Sequence, residues 1–142
     1  MFGNVGYVGW AVLALLSYSL FTPLVKLATR SAPSHVVALV TNSVLVLTAL
    51  VTTVVAGDDV TAALAPRTLP YVLGGGVFLS IGILSYYRAL AGGPVSTVVP
   101  IFGSFIAVSS LLGVVVLGDS LTLRKGVGVV LTTVGVYLAA TG

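Results

Sequence analysis

Hydroxyl, amide and amine side chains recur at helical spacing within stretches that are otherwise apolar. In the first stretch, Ser19, Thr22 and Lys26 follow positions i, i+3 and i+7, which lie on one face of a helix. In the fourth stretch, Thr97 and Ser104 are again separated by seven residues. These groups recognise ligands through hydrogen bonds and one positive charge. The chemistry they indicate is binding of a small polar solute.

The second and third apolar stretches add Asn42, Ser80 and Tyr87. A serine or threonine hydroxyl inside a helix commonly bonds the carbonyl four residues back, so a single hydroxyl is weak evidence for a site. An amide in hydrocarbon, in contrast, seeks a partner on another helix or a ligand. We therefore predict a shared hydrophilic interior. Its predicted substrate-binding residues are Ser19, Thr22, Lys26, Asn42, Ser80, Tyr87, Thr97 and Ser104.

Two basic residues near span ends have two interpretations each. Lys26 lies one turn before Arg30, so its four-carbon stem either reaches the headgroups or presents a charge to a substrate. Arg88 follows two tyrosines and has the same alternatives, because aromatic residues beside a basic residue are also typical of a membrane interface. His35 is interpreted as a loop residue.

Five stretches are long and apolar enough to cross a bilayer. The stretch 36–56 holds 21 residues without a charge. At about 1.5 Å per residue, it covers a hydrocarbon core of roughly 30 Å. An odd number of spans places the two termini on opposite sides of the membrane. The predicted spans are about 7–28, 36–56, 71–91, 95–117 and 121–141.

The composition places the whole chain, residues 1–142, in one all-α membrane domain. Hydrophobic residues make up 58% of it and charged residues 6%, whereas soluble domains carry about 25% charged residues. With no cysteine, one histidine and three acidic residues, we expect no metal site, no cofactor and no catalytic set. A net charge of +3 spread over loops and helix ends suits lipid headgroups and does not suggest nucleic acid. The N-terminus lacks a basic n-region, so the first span is expected to be a retained helix.

Breaks in the helical pattern favour kinked spans. Pro23 and Pro100 each remove a backbone hydrogen bond, and the freed carbonyl must face protein or a watery cavity. A run of three glycines, 74–76, also lies near the start of a span, the third. Such breaks are either part of a transport site or ordinary packing kinks.

Small residues form a stripe along the last span. Gly128, Thr132, Gly135 and Ala139 follow i, i+4, i+7 and i+11 on one face. Close approach of helices in lipid depends on such small residues. The stripe predicts a helix contact.

No predicted span carries a carboxylate. Asp58, Asp59 and Asp119 all lie in or beside loops, and the sequence has no glutamate. Proton-coupled export of cations usually needs a buried acid. That mechanism is disfavoured.

From Tyr87 onwards, a helix ending in Ala89-Leu90 is followed by a G-P-x-S-x-V-x-P segment at residues 93–100, an apolar helix, a short turn at Gly118 and a closing glycine-containing helix. This order of motifs closely resembles the end of an EamA-type domain of the drug/metabolite transporter superfamily. The first span is similar to the first helix of the family, with its lysine at Lys26. One departure is Asp119, where the family usually has glutamate. The matching residues are Ala89, Leu90, Gly93, Pro94, Ser96, Val98, Pro100, Leu117, Gly118, Leu121, Gly128, Leu131, Gly135 and Val136.

The resemblance implies a membrane carrier for a small metabolite or drug-like compound. Most superfamily members contain two such domains in inverted orientation, and this chain resembles a single one, as in the five-helix branch. The chain would then be one half of an inverted-repeat transporter fold.

The distribution of basic residues independently suggests pairing of two copies. Arg67, Arg124 and Lys125 fall on the side of the N-terminus, and Lys26, Arg30 and Arg88 fall on the other side. Orientation in membranes follows a bias in Lys and Arg, and three against three gives none. A dual-topology, antiparallel homodimer is therefore predicted.

The function predicted is secondary transport or facilitated movement of a small polar solute across the cell membrane by alternating access. The alternative is a non-transporting membrane subunit that stabilises a partner membrane protein. A membrane-embedded enzyme is disfavoured because a catalytic set is missing.

Overall fold

A computed structural model describes residues 6–141, and this part of the chain is helical with no strand. Six α-helices and one short 3₁₀ helix, Val60–Leu64, follow one another along it. The α-helices are α1 (Tyr7–Ala28), α2 (Ser34–Ala56), α3 (Leu69–Gly92), α4 (Val95–Gly103), α5 (Phe105–Leu117) and α6 (Leu123–Thr141).

The prediction of an all-helical membrane fold is confirmed. Five helical segments are long and apolar enough to cross a membrane, and α4 and α5 together make up the fourth. Six of the ten predicted ends coincide with the observed ones, three starts differ by two residues and one end differs by one residue. For example, α2 begins at Ser34 instead of residue 36, because Pro33 has the extended backbone of a cap residue and its carbonyl accepts the first helical bonds.

The fourth predicted span is interrupted at Ser104, between α4 and α5. The Ser104 hydroxyl donates to the Ile101 carbonyl at 2.5 Å. The Ser104 N–H is shared between the Pro100 carbonyl at 3.1 Å and the Ile101 carbonyl at 3.3 Å, and the Ala107 N–H donates to the Ser104 carbonyl three residues back at 3.1 Å. Such bonds tighten a helical turn, so the break follows Pro100 by one turn.

Two glycines end helices in the left-handed conformation. Gly57 after α2 has φ of 71° and Gly118 after α5 has φ of 74°. In the second turn, the Asp119 N–H donates to the Gly113 carbonyl at 3.1 Å, which closes the last turn of α5. The Asp119 carboxylate lies against Gly113, where a Cβ atom would come within 2.9 Å of its Oδ2. Aspartate is therefore accommodated in this turn.

The loop after α2 carries its own cap. The Asp59 carboxylate accepts hydrogen bonds from the Thr61 hydroxyl and the Thr61 N–H, at 2.8 and 2.9 Å. Both bonds lower the pKa of Asp59, and the bond from the Thr61 hydroxyl has the larger effect. These bonds start the 3₁₀ helix.

The described part of the chain divides into two compact units, with the boundary between residues 91 and 92. In the first unit the buried side chains lie at one end: the last turns of α1, the first turns of α2 and the last turns of α3. None of the residues 7–20, 43–56 and 69–82 in the other parts of these helices is buried. The helices of this unit are therefore packed together at one end only. The buried residues are Thr22, Val25, Val37, Ala38, Tyr86, Tyr87 and Leu90.

In the second unit, α6 packs mainly against α4. The half-buried face of α6 contains Gly126, Val129, Val136 and Ala140. The small-residue stripe from Gly128 to Ala139 points elsewhere and is exposed. A Cβ atom on Gly128 or Gly135 would meet nothing within 4 Å. Within this unit the stripe therefore does not form the helix contact that its spacing predicts.

Replacing Gly118 tests the turn between α5 and α6. We expect Gly118→Ala to lower the free energy of unfolding by about 1 kcal/mol, because an L side chain is strained in the left-handed region. Unfolding in detergent micelles, followed by circular dichroism, measures this. Gly82→Ala is the matched control, because Gly82 lies inside α3 with open space around it, and alanine favours a helix by about 0.5–1 kcal/mol. Equal changes in the free energy of unfolding for Gly118→Ala and Gly82→Ala would contradict the left-handed conformation of Gly118.

Candidate functional site

Two consecutive tyrosines on α3 reach two different helices of the first unit. Successive residues on a helix point about 100° apart. Tyr86 accordingly contacts Thr22 on α1, and Tyr87 contacts Thr41 on α2. The Phe21 ring also meets the Tyr87 ring edge to face, with centroids 5.9 Å apart. Both tyrosines are buried, with 4% and 1% of their surface exposed.

The directions of these hydrogen bonds follow from the number of protons available. Thr22 Oγ1 lies 3.0 Å from the Tyr18 carbonyl and 2.9 Å from the Tyr86 hydroxyl. A carbonyl only accepts, and a threonine hydroxyl has one proton. Thr22 therefore donates to Tyr18 and accepts from Tyr86. By the same argument Tyr87 donates to Thr41, whose own proton goes to the Val37 carbonyl at 2.9 Å.

Lys26 makes a third link between helices. Its ammonium donates to the Leu90 carbonyl at 2.6 Å. Leu90 is in the last turn of α3, where carbonyls have no partner within the helix and the helix dipole is negative. Lys26 thus caps α3 with a positive charge.

The links of Thr22 to Tyr86 and of Lys26 to Leu90 each join residues 64 positions apart. Because both partners advance by four residues together, α1 and α3 run in the same direction. The remaining link, between Thr41 and Tyr87, joins α2 to α3. We call the five side chains that make the three links the bonded end: Thr22, Lys26, Thr41, Tyr86 and Tyr87.

A groove between α2 and α3 lies beside the bonded end. Its volume is about 440 Å³, and its walls are mostly leucine, isoleucine and alanine. Three polar side chains also line it: His35, Asn42 and Ser80. The interpretation of His35 as a loop residue was wrong, because α2 begins at Ser34 and His35 lies in its first turn. The Asn42 amide donates to the Ala38 carbonyl, and the Ser80 hydroxyl donates to the Gly76 carbonyl, both at 2.8 Å. Asn42 and Ser80 therefore face one groove while each is bonded to its own helix.

The eight predicted site residues are thus distributed over different places. Thr22, Lys26 and Tyr87 are brought together at the bonded end, whereas Asn42 and Ser80 line the groove. Ser19 is exposed and donates to the Leu15 carbonyl at 2.8 Å. Thr97 and Ser104 belong to the second unit. A substrate-binding role for each of the eight residues stays a prediction.

Sequence reasoning did not include Thr41 and Tyr86 in the predicted site. Thr41 shares a helix face with Thr48 and Thr52, which is a signal for a polar face but not for a particular partner. Tyr86 was interpretable as an interfacial aromatic residue. The signal for both was the pair of adjacent tyrosines, since side chains about 100° apart on one helix are able to contact two different helices.

Removing one tyrosine hydroxyl tests the bonded end. We expect Tyr86→Phe and Tyr87→Phe each to lower the free energy of unfolding by about 0.6 kcal/mol, the average for hydrogen bonds between membrane helices. Tyr71→Phe is the control, because Tyr71 is 82% exposed on the same helix. Unfolding is measured in detergent micelles.

A double-mutant cycle separates the bond from the rest of the side chain. With Thr22→Val already present, Tyr86→Phe should cost less than it does alone, because the acceptor is gone. A full, additive loss in the double variant would show that the Tyr86 hydroxyl does not bond Thr22.

Comparison with known proteins identifies the family. The sequence model of the EamA-like transporter family matches residues 6–141, nearly the whole chain. Neither the curated proteins nor the solved structures compared with the chain gave a match. Five apolar helical segments of membrane-spanning length agree with a multi-pass membrane protein. The chain therefore belongs to the EamA-like transporter family.

Proposed function

We propose that this protein is a secondary transporter that moves a small polar solute across the cell membrane by alternating access. Membership of a transporter family supports the general activity. The observation that carries the mechanism is the asymmetry of the first unit. Its three helices are linked at the bonded end, and none of the described residues at the other ends of α1, α2 and α3 is buried.

The bonded end has the strength expected of a gate. A hydrogen bond between membrane helices contributes about 0.6 kcal/mol on average, so three such links contribute about 2 kcal/mol. A conformational equilibrium with a gap of a few kcal/mol responds to a ligand that binds one state better. Breaking these links would open this end to the adjacent solution. A solute that binds the open state more tightly than the closed state would offset the free energy lost with the links.

The proposed assembly is an antiparallel homodimer. Each side of the membrane receives three basic residues in the predicted topology, so neither orientation is favoured. Two copies inserted in opposite directions reproduce the inverted symmetry on which alternating-access carriers are built. The exposed stripe of α6, which includes Gly128 and Gly135, offers small residues for close contact with another helix.

Solute binding and transport test the activity. In a thermal-shift screen of purified protein against metabolite classes, we expect at least one small polar solute to stabilise the protein, because a ligand at about 100 times its Kd contributes about 2.7 kcal/mol. In vesicles, that solute should exchange across the membrane. Lys26→Ala and Ser104→Ala should reduce the exchange with expression and assembly preserved.

Ser17→Ala is the matched control, since the Ser17 hydroxyl is exposed and donates to its own helix at Leu13. Full activity of Lys26→Ala would show that the link from Lys26 to the Leu90 carbonyl is not needed for transport. A protein that binds no solute and exchanges none would favour the other candidate function, a non-transporting subunit.

Added lysines test the antiparallel assembly. Two lysines near Asp58 and Asp59 should bias insertion one way, and two near Pro33 should bias it the other way. Each variant alone should lose activity, and co-expression should restore it, because together they supply both orientations. One-sided labelling of introduced cysteines measures orientation, since the chain has no cysteine of its own. A wild-type protein in a single orientation would contradict dual topology.

A further inference from the structure

We propose that the α2–α3 groove binds the solute and that the solute is uncharged, with both a hydrogen-bond donor and an acceptor. This inference rests on the proposed transport function, which it makes more specific. It selects Asn42 and Ser80 from the predicted site residues and assigns the solute a chemical class.

The dimensions of the groove suit a small molecule. Its volume of about 440 Å³ falls in the range of about 300–1,000 Å³ that is typical of ligand cavities. Its apolar wall includes Leu79 and Ile83 of α3 and Leu39 of α2. An apolar wall with a few placed polar groups is the usual composition of a ligand site.

Asn42 has hydrogen-bonding capacity left for a ligand. A carboxamide has two N–H donors and an oxygen acceptor. One N–H donates to the Ala38 carbonyl, and no hydrogen bond within the described residues uses the amide oxygen or the second N–H. The Ser80 hydroxyl gives its proton to Gly76, so its oxygen is able to accept. A solute with a donor and an acceptor would satisfy both side chains, which do not bond each other.

The side chains that line the groove argue against an ionic solute. Among the residues that the structure describes, no lysine, arginine or aspartate lines it. The ammonium of Lys26 is held at the bonded end by the Leu90 carbonyl. His35 lies at the first turn of α2, two turns from Asn42, a distance of about 10 Å along the helix. An ion beside Asn42 would lose its hydration without gaining a counter-charge, which a neutral molecule avoids.

Cysteine labelling with reagents of different charge tests this without knowledge of the natural solute. Ser80→Cys is reacted in membrane vesicles with three small methanethiosulfonates: the neutral 2-hydroxyethyl, the cationic trimethylammonium-ethyl and the anionic sulfonatoethyl reagents. After correction for reactivity with a free thiol, we expect both charged reagents to be at least about tenfold slower, because they must lose their hydration in the groove. Adding Asn42→Leu should slow the neutral reagent.

Two positions on α2 are the controls. His35→Cys at the mouth should react with all three reagents at similar rates. Val44→Cys, on the face opposite Asn42 and 60% exposed to the surroundings, should react slowly with each. If Ser80→Cys does not fold, Ile83→Cys on the same groove wall replaces it.

Each remaining outcome overturns the proposal. Equal rates for the three reagents at Ser80→Cys would mean a water-filled path open to ions. No reaction with any reagent would mean that the groove admits no solute. An unchanged neutral rate in the Asn42→Leu variant would remove Asn42 as a ligand.

The labelling result is independent of transport. Charge-selective labelling in a protein that exchanges no solute would refute the proposed function and leave a neutral binding groove. Exchange of a charged solute that does not protect Ser80→Cys would support transport and refute the groove as its site.

Discussion

The first unit depends on hydrogen bonds between helices because lipid supplies no hydrophobic force to bring apolar helices together. Its buried side chains are concentrated where Tyr86 and Tyr87 bond to Thr22 and Thr41 and where Lys26 caps α3. Each tyrosine donates to a threonine that is already donating to its own helix. The tyrosines therefore determine which helices meet, and the threonines determine where along α1 and α2 they meet.

In the second unit, the turn between α5 and α6 depends on two glycines. Between α5 and α6, Gly118 adopts a positive φ, and the missing side chain of Gly113 makes room for the Asp119 carboxylate. Nearby, the Lys125 ammonium donates to the Ser120 carbonyl at 3.0 Å. Charged side chains are used here to satisfy a turn at the end of apolar helices, where they remain close to water.

Lys26 has different meanings in the sequence and in the structure. In the sequence it is an anchor or a charge for a substrate, but in the fold its ammonium neutralises the negative end of α3. The ammonium held in this way is not among the groups that line the nearby groove, whose polar side chains are His35, Asn42 and Ser80. This is the physical link between the gate that we propose and the chemical class of the solute.

Much of the architecture was predictable from local properties. Apolar length and the position of charges indicated five spans close to their observed bounds, since a span of about 20 residues is required by the thickness of the bilayer. The sequence also predicted the turn at Gly118, and the Asp119 side chain is accommodated against Gly113. Tertiary structure alone decided that Tyr86 and Thr41 form links and that the stripe at Gly128 faces away from α4. A hydroxyl has many possible acceptors, and which one it meets depends on the helices that pack beside it.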